Sequence, residues 1–203
     1  MLFTAHPTIN TAGLLFLVES ILIVQPTHTP TQKKNGTVVH FILNATAFAL
    51  FLSGLIVIEV NKVRAGISPL FFSFPSSLLM KQTLNSQITT GNAHFYSPHA
   101  ILGLITYIFI FLQVIVGFTQ YYTPQIYGGI ENAKAIYKYH RLSGYFILFV
   151  ILMTVCASAW TTLNVQAIHI KNWALIITSV LILVGIWPRI KLQKFGIRKR
   201  IQI

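Results

Sequence analysis

Four histidines have the type and spacing to hold a metal: His6, His40, His99 and His140. Each stands at or just before the start of a long apolar run. Ionisable side chains at membrane depth mark function by default, and neutral imidazole is the commonest metal ligand. An iron already held in a planar macrocycle needs only two further donors, one on each face. The stretch from Ala93 to Gly103 frames this chemistry best. Pro98 suits the first turn of a helix, where a missing N–H costs nothing. His99 follows it, and Gly103 lies one turn further on the same face. A ring nitrogen beside a residue without a side chain leaves room for a flat, bulky cofactor. His140 and Gly144 repeat the spacing, so that His-Ala-Ile-Leu-Gly and His-Arg-Leu-Ser-Gly look like one device. Glycines in membrane helices also serve close packing alone, and a single interfacial histidine is commonly just a hydrogen-bonding residue. The weight lies in the four together.

The elements that must position them are membrane spans. Of the 203 residues 54% are hydrophobic and only 9% charged, with a mean hydropathy of +0.68; a soluble domain carries about 25% charged residues. Five apolar stretches, at about 7–25, 38–60, 99–121, 140–163 and 172–188, are long enough to cross roughly 30 Å of hydrocarbon at about 1.5 Å per residue. The fold expected is an all-α integral membrane bundle of five spans with a four-helix core. Segment 26–37, with Pro26, Pro30 and Asn35-Gly36, reads as a turn-rich loop. Segment 122–139 reads likewise, from Pro124 and Gly128-Gly129, and 189–203 is a basic tail. Eleven of the fifteen Lys and Arg fall on the side of these three segments, with Arg141 counted among them, which makes that side cytosolic. The chain then starts outside and ends in the cytosol. His6 and His99 share the outer leaflet, and His40 and His140 share the cytosolic one. Two pairs, His6/His99 and His40/His140, would carry two b-type haems stacked across the bilayer. His28 and His169 read as ordinary loop residues.

Composition also excludes. The net charge of +12 reflects scarce acids, Glu19, Glu59 and Glu131, more than abundant bases. No basic helix or aromatic-basic platform stands outside the apolar runs, so nucleic acid is not a partner. Cys156 is the single cysteine, which rules out a disulfide within the chain. The N-terminal segment lacks the basic start of a signal peptide. Nothing addresses a particular organelle; an endomembrane or vesicle membrane is preferred to the plasma membrane.

Taken together, His6-Pro7 with Gly13 to Ser20, Val39-His40-Phe41, Ala93 to Gly103, Tyr139 to Gly144 and Arg198 to Gln202 resemble the cytochrome b561 family. The likeness is greatest to its short branch of b561-domain-containing transmembrane reductases. The resemblance implies a diheme core with the same two histidine pairs. It also implies electron transfer from cytosolic ascorbate to ferric iron or monodehydroascorbate across the lipid bilayer. Lys33, Lys34, Lys138 and Arg141, with Lys134, then lie on the cytosolic side where anionic ascorbate and haem propionates would be favoured. The ordinary positive-inside pattern explains the same residues without a ligand. His94 and Tyr96 lie near His99 on the outer side and could contact the second substrate; His94 is also the rival of His99 as ligand. Other functions stay open: a haem-bearing anchor relaying electrons between protein partners, or a non-haem membrane protein from a defective gene model. A homodimer is one assembly open to the chain.

Two departures from the family pattern stand out. Only five residues precede His6, so the family's usual first span is expected to be missing. In addition, His6 to His40 is 34 positions but His40 to His99 is 59. Removing Val63 to Gln87, 25 residues, restores 34. This stretch, with Pro69 to Leu79 encoded by pyrimidine-rich codons, reads as a translated retained intron. A real amphipathic lid, carrying Phe71, Phe72 and Phe74 into the interface, is the alternative. Sequencing the mature transcript decides: the intron reading expects these 75 nucleotides to be spliced out, and their uniform presence supports the lid.

Overall fold

A computed structural model describes residues 4–25, 29–64, 97–161 and 164–190. The element order is α1 Ala5–Ile23, α2 Pro30–Arg64, α3 Pro98–Tyr122, α4 Ile130–Ala157 and α5 Asn172–Ile186. Short 3-10 turns follow α3, α4 and α5, and no strand occurs among the described residues. Helices of this length and composition suit a membrane because each backbone N–H and C=O is satisfied within its own segment. All five are long and apolar enough to span, α4 and α5 being counted with the short turns that carry them to Trp160 and Arg189. Their outward faces carry bare Leu15, Ile56, Ile108, Phe149 and Leu181, as a lipid-facing surface requires. The three tryptophans, Trp160, Trp173 and Trp187, sit exposed at the ends of α4 and α5, where aromatic rings mark membrane interfaces. The described residues thus form an all-α, multi-pass membrane protein. Two compact units result, Met1–Val24 with Thr29–Ala100, and Gln25–His28 with Ile101–Ile203; each is treated separately.

In the first unit α1 and α2 lie against each other. The loop expected over 26–37 is helical from Pro30. The cause is a capping box: the Gln32 amide N–H donates to Thr29 Oγ1 at 3.1 Å while the Thr29 N–H donates to Gln32 Oε1 at 3.3 Å, with Pro30 at the first helical position. Gly36, expected in a turn, is instead buried in the helix, and a Cβ there would sit 3.4 Å from the Ile23 carbonyl. Two further glycines set the approach of the pair. A Cβ on Gly13 would meet the Phe51 ring at 3.0 Å, and one on Gly54 would overlap the Asn10 amide. Small residues of this kind let membrane helices close without a hydrophobic drive between them.

In the second unit the expected loop 122–139 is short. A 3-10 turn over Pro124–Tyr127 leads into Gly128 and Gly129, whose φ of 81° and 111° only glycine adopts readily. Helix α4 then starts at Ile130, ten residues before His140. Its buried face is Ile147, Leu148, Ile151 and Leu152. A hydroxyl pair, Thr106 with Thr154 at 3.2 Å, links α3 to α4 within the apolar layer. Between α4 and α5 the side chain of Asn164 binds the Ala159 and Ile170 carbonyls and the Ile170 N–H, all at 2.9 Å, which folds the connection back on itself.

His28, His94, Tyr96, the suspected insertion from position 65 onward and the tail from 191 lie outside the described residues. For the α1–α2 crossing, Gly54→Ala is expected to lower stability by about 1–3 kcal/mol through overpacking against Asn10. Adding Asn10→Ala should recover much of the loss, as a double-mutant cycle of melting temperatures in detergent would show.

Candidate haem site

His6 is the second residue of α1 and His99 the second residue of α3. Both belong to the first unit. The His6 Nδ1–H donates to the Gly54 carbonyl at 2.9 Å. A carbonyl only accepts, so the proton is on Nδ1 and the Nε2 lone pair is left for a metal. The imidazoles of His6 and His99 are neighbours in a T-shaped arrangement, with centroids 6.3 Å apart and planes at 87°. Metal–nitrogen bonds of about 2 Å to each of two facing imidazoles would bring their ring centres to a little over ~6 Å. This separation suits two residues that would together hold one haem iron. No three His, Cys, Asp or Glu side chains converge among the described residues. Two donors suit an ion whose equatorial positions are filled by a macrocycle, not a cage built from protein alone.

His40 mirrors His6. Its Nδ1–H donates to the Ser20 carbonyl at 2.7 Å. Ser20 is near the C-terminal end of α1, where a carbonyl is open to a side chain from the neighbouring helix. The exchange is reciprocal: α1's histidine bonds α2, and α2's histidine bonds α1. His6 to Ser20 and His40 to Gly54 are both fourteen residues. The correspondence extends to Asn10 and Asn44, each four residues after its histidine and each donating Nδ2–H to that histidine's carbonyl at 2.8 Å. Sequence reasoning missed these asparagines, although the repeat His-x-x-x-Asn at a shift of 34 positions was there to find.

Neither His40 nor His140 opens its helix, contrary to expectation. Each follows ten residues of helix that begin at Pro30 and Ile130, because a polar helix can continue beyond the hydrocarbon once it is capped. In the second unit His140 is half-buried, and its ring occupies the space left by Gly117: a Cβ there would lie 2.9 Å from Cε1. His40 is in the first unit and His140 in the second, so their pairing rests on the sequence. Lys33 and Lys34 are exposed in the first turns of α2. Lys138 is exposed on α4 with Nζ 4.9 Å from the Tyr139 ring centre, and Arg141 is half-buried one turn on. Beside it Gln25 Nε2 donates to the Tyr145 hydroxyl.

A family model described as eukaryotic cytochrome b561 matches residues 76–166, a stretch that holds His99 and His140. Over that stretch, less than half of the chain, the sequence is similar to the cytochrome b561 family. It is 26% identical over 153 residues to a putative transmembrane ascorbate-dependent reductase, the CYB561 homolog of Caenorhabditis elegans, covering 75% of this chain and 50% of that protein. Against the transmembrane ascorbate-dependent reductase CYB561 of Mus musculus it is 24% identical over 123 residues, 60% of this chain and 39% of the relative. The chain thus spans half or less of the length of these curated relatives. No solved structure matches. Cytochrome b561 proteins bind b-type haem, and in this chain His6 and His99, with ring centroids 6.3 Å apart, are the residues that would hold one. Gly117→Val should push the His140 ring aside, and the expected result is a lower haem-to-polypeptide ratio by pyridine haemochrome assay.

Proposed function

We propose that this chain holds two b haems, one between His6 and His99 and one between His40 and His140, and that it carries electrons across the membrane. The donor would be cytosolic ascorbate and the acceptor ferric iron or monodehydroascorbate on the other side. The observation that carries the reading is the neighbouring pair of imidazoles at 6.3 Å, with the Nδ1–H of His6 committed to a backbone carbonyl. The names of the two relatives, both ascorbate-dependent reductases, support the choice of donor. Haem supplies one-electron chemistry when bound, its iron alternating between ferric and ferrous forms.

The chain's own residues do the rest. His6 and His40 present Nε2 because their Nδ1–H groups are held by Gly54 and Ser20. The apolar spans keep water from the ligands. On the cytosolic side Lys33, Lys34, Lys138 and Arg141 would draw in the ascorbate anion. His94 and Tyr96 would meet the acceptor on the outer side. An endomembrane or vesicle membrane would separate the two solutes.

An ascorbate-reduced minus oxidised difference spectrum with haem stoichiometry tests the proposal. Two haems per chain and rapid reduction by ascorbate are expected. His99→Ala and His140→Ala should each remove about one haem, and loss of neither would overturn the diheme reading. Haem that is present but inert to ascorbate would indicate a relay between protein partners instead. Charge reversal at Lys33 and Lys34 should slow reduction several-fold at low ionic strength, with the difference shrinking in high salt because both side chains are exposed.

A further inference from the structure

One polar cluster in the second unit has no part in the proposal so far. Gln113 lies midway along α3, a helix otherwise dominated by apolar residues. An amide at that depth is costly unless both ends are paired. Both are. Gln113 Nε2–H donates to the backbone carbonyl of His140 at 2.7 Å, and Ser143 Oγ–H donates to Gln113 Oε1 at 2.8 Å. The Ser143 hydroxyl also lies 3.0 Å from the same His140 carbonyl. The grip depends on two glycines. A Cβ on Gly144 would stand 3.2 Å from Gln113 Nε2, and a Cβ on Gly117 would stand 2.9 Å from His140 Cε1. Gln113 and Gly117 are one helical turn apart, so one turn of α3 holds the His140 backbone while the next makes room for its ring.

We propose that Gln113, backed by Ser143, is a positioning residue for His140, fixing the orientation of its imidazole and through it the properties of the haem that His140 holds. The inference rests on the haem reading above. An interhelical hydrogen bond acting only as glue would change stability alone. A bond that sets the backbone under a ligand also changes the angle of the ring plane at the iron. That angle governs the low-spin ferric signal and the reduction potential.

The test uses the full chain with Gln113→Met, which keeps length without hydrogen bonds, Ser143→Ala, and Ser143→Thr as the conservative rescue. Haem content, the low-spin ferric EPR signals and a redox titration are measured for each. In Gln113→Met one low-spin signal should move and one midpoint potential shift, or that haem alone be lost, and it should be the haem missing from His140→Ala. Ser143→Ala should cause a smaller shift of the same signal, and Ser143→Thr should restore the wild-type spectrum. The proposal is overturned if Gln113→Met and Ser143→Ala leave both signals in place while lowering the melting temperature, or if both haems shift alike. Should Gln113→Met fail to fold, Ser143→Ala decides by the same criteria. Absence of any b-type signal from the wild-type chain would instead sink the haem reading itself.

Discussion

Inside a bilayer a hydrogen bond donor has few places to go. Helical backbones consume their own N–H groups, and only the second lone pair of a carbonyl, or a carbonyl at a helix end, stays open to a side chain. The arrangement of α1 and α2 follows from this scarcity. Each helix brings one imidazole, and each imidazole spends its Nδ1–H on the other helix. Packing and tautomer are one act here: the bond that draws the helices together also puts the ring proton on Nδ1, so that Nε2 would be the atom to meet a metal.

Side-chain absence matters as much as side-chain chemistry. Gly13 admits Phe51, Gly54 admits Asn10 and exposes its carbonyl to His6, and Gly117 admits the ring of His140. The polar residues of the spans have short errands. Asn10 and Asn44 return to the backbone one turn back, Thr106 meets Thr154, and Gln113 and Ser143 close on the His140 carbonyl.

The membrane class and the five spans were legible in the sequence, because hydropathy records the solvent a segment faces. Two of the helix starts were not. Apolar content fades at Thr37 and His140, yet α2 and α4 begin at Pro30 and Ile130. What decides those ends is local bonding, the Thr29–Gln32 box and the left-handed Gly128 and Gly129, and Asn35-Gly36 read as a turn only while that box went unnoticed. The four histidines stand out by their spacing, and the structure brings one pair, His6 and His99, together with ring planes at 87°. Their partners were harder to see, since the acceptors at Ser20 and Gly54 are backbone atoms and carry no residue signature. Gln113 is conspicuous in its apolar run, but nothing in the sequence says that its partner is a carbonyl.

Helix α2 is a single rod of 35 residues carrying both His40 and the carbonyl that receives His6. Slipping that rod by one residue would move it about 1.5 Å and turn it about 100°. Both imidazole bonds would then break together, so the two ends of the α1–α2 pair share one register and neither can be retuned alone. A single-residue insertion between His40 and Gly54 is intolerable on these grounds. Additions beyond Arg64 leave that register untouched. Lengthening of the chain between α2 and α3 is thus the kind of change this architecture can inherit.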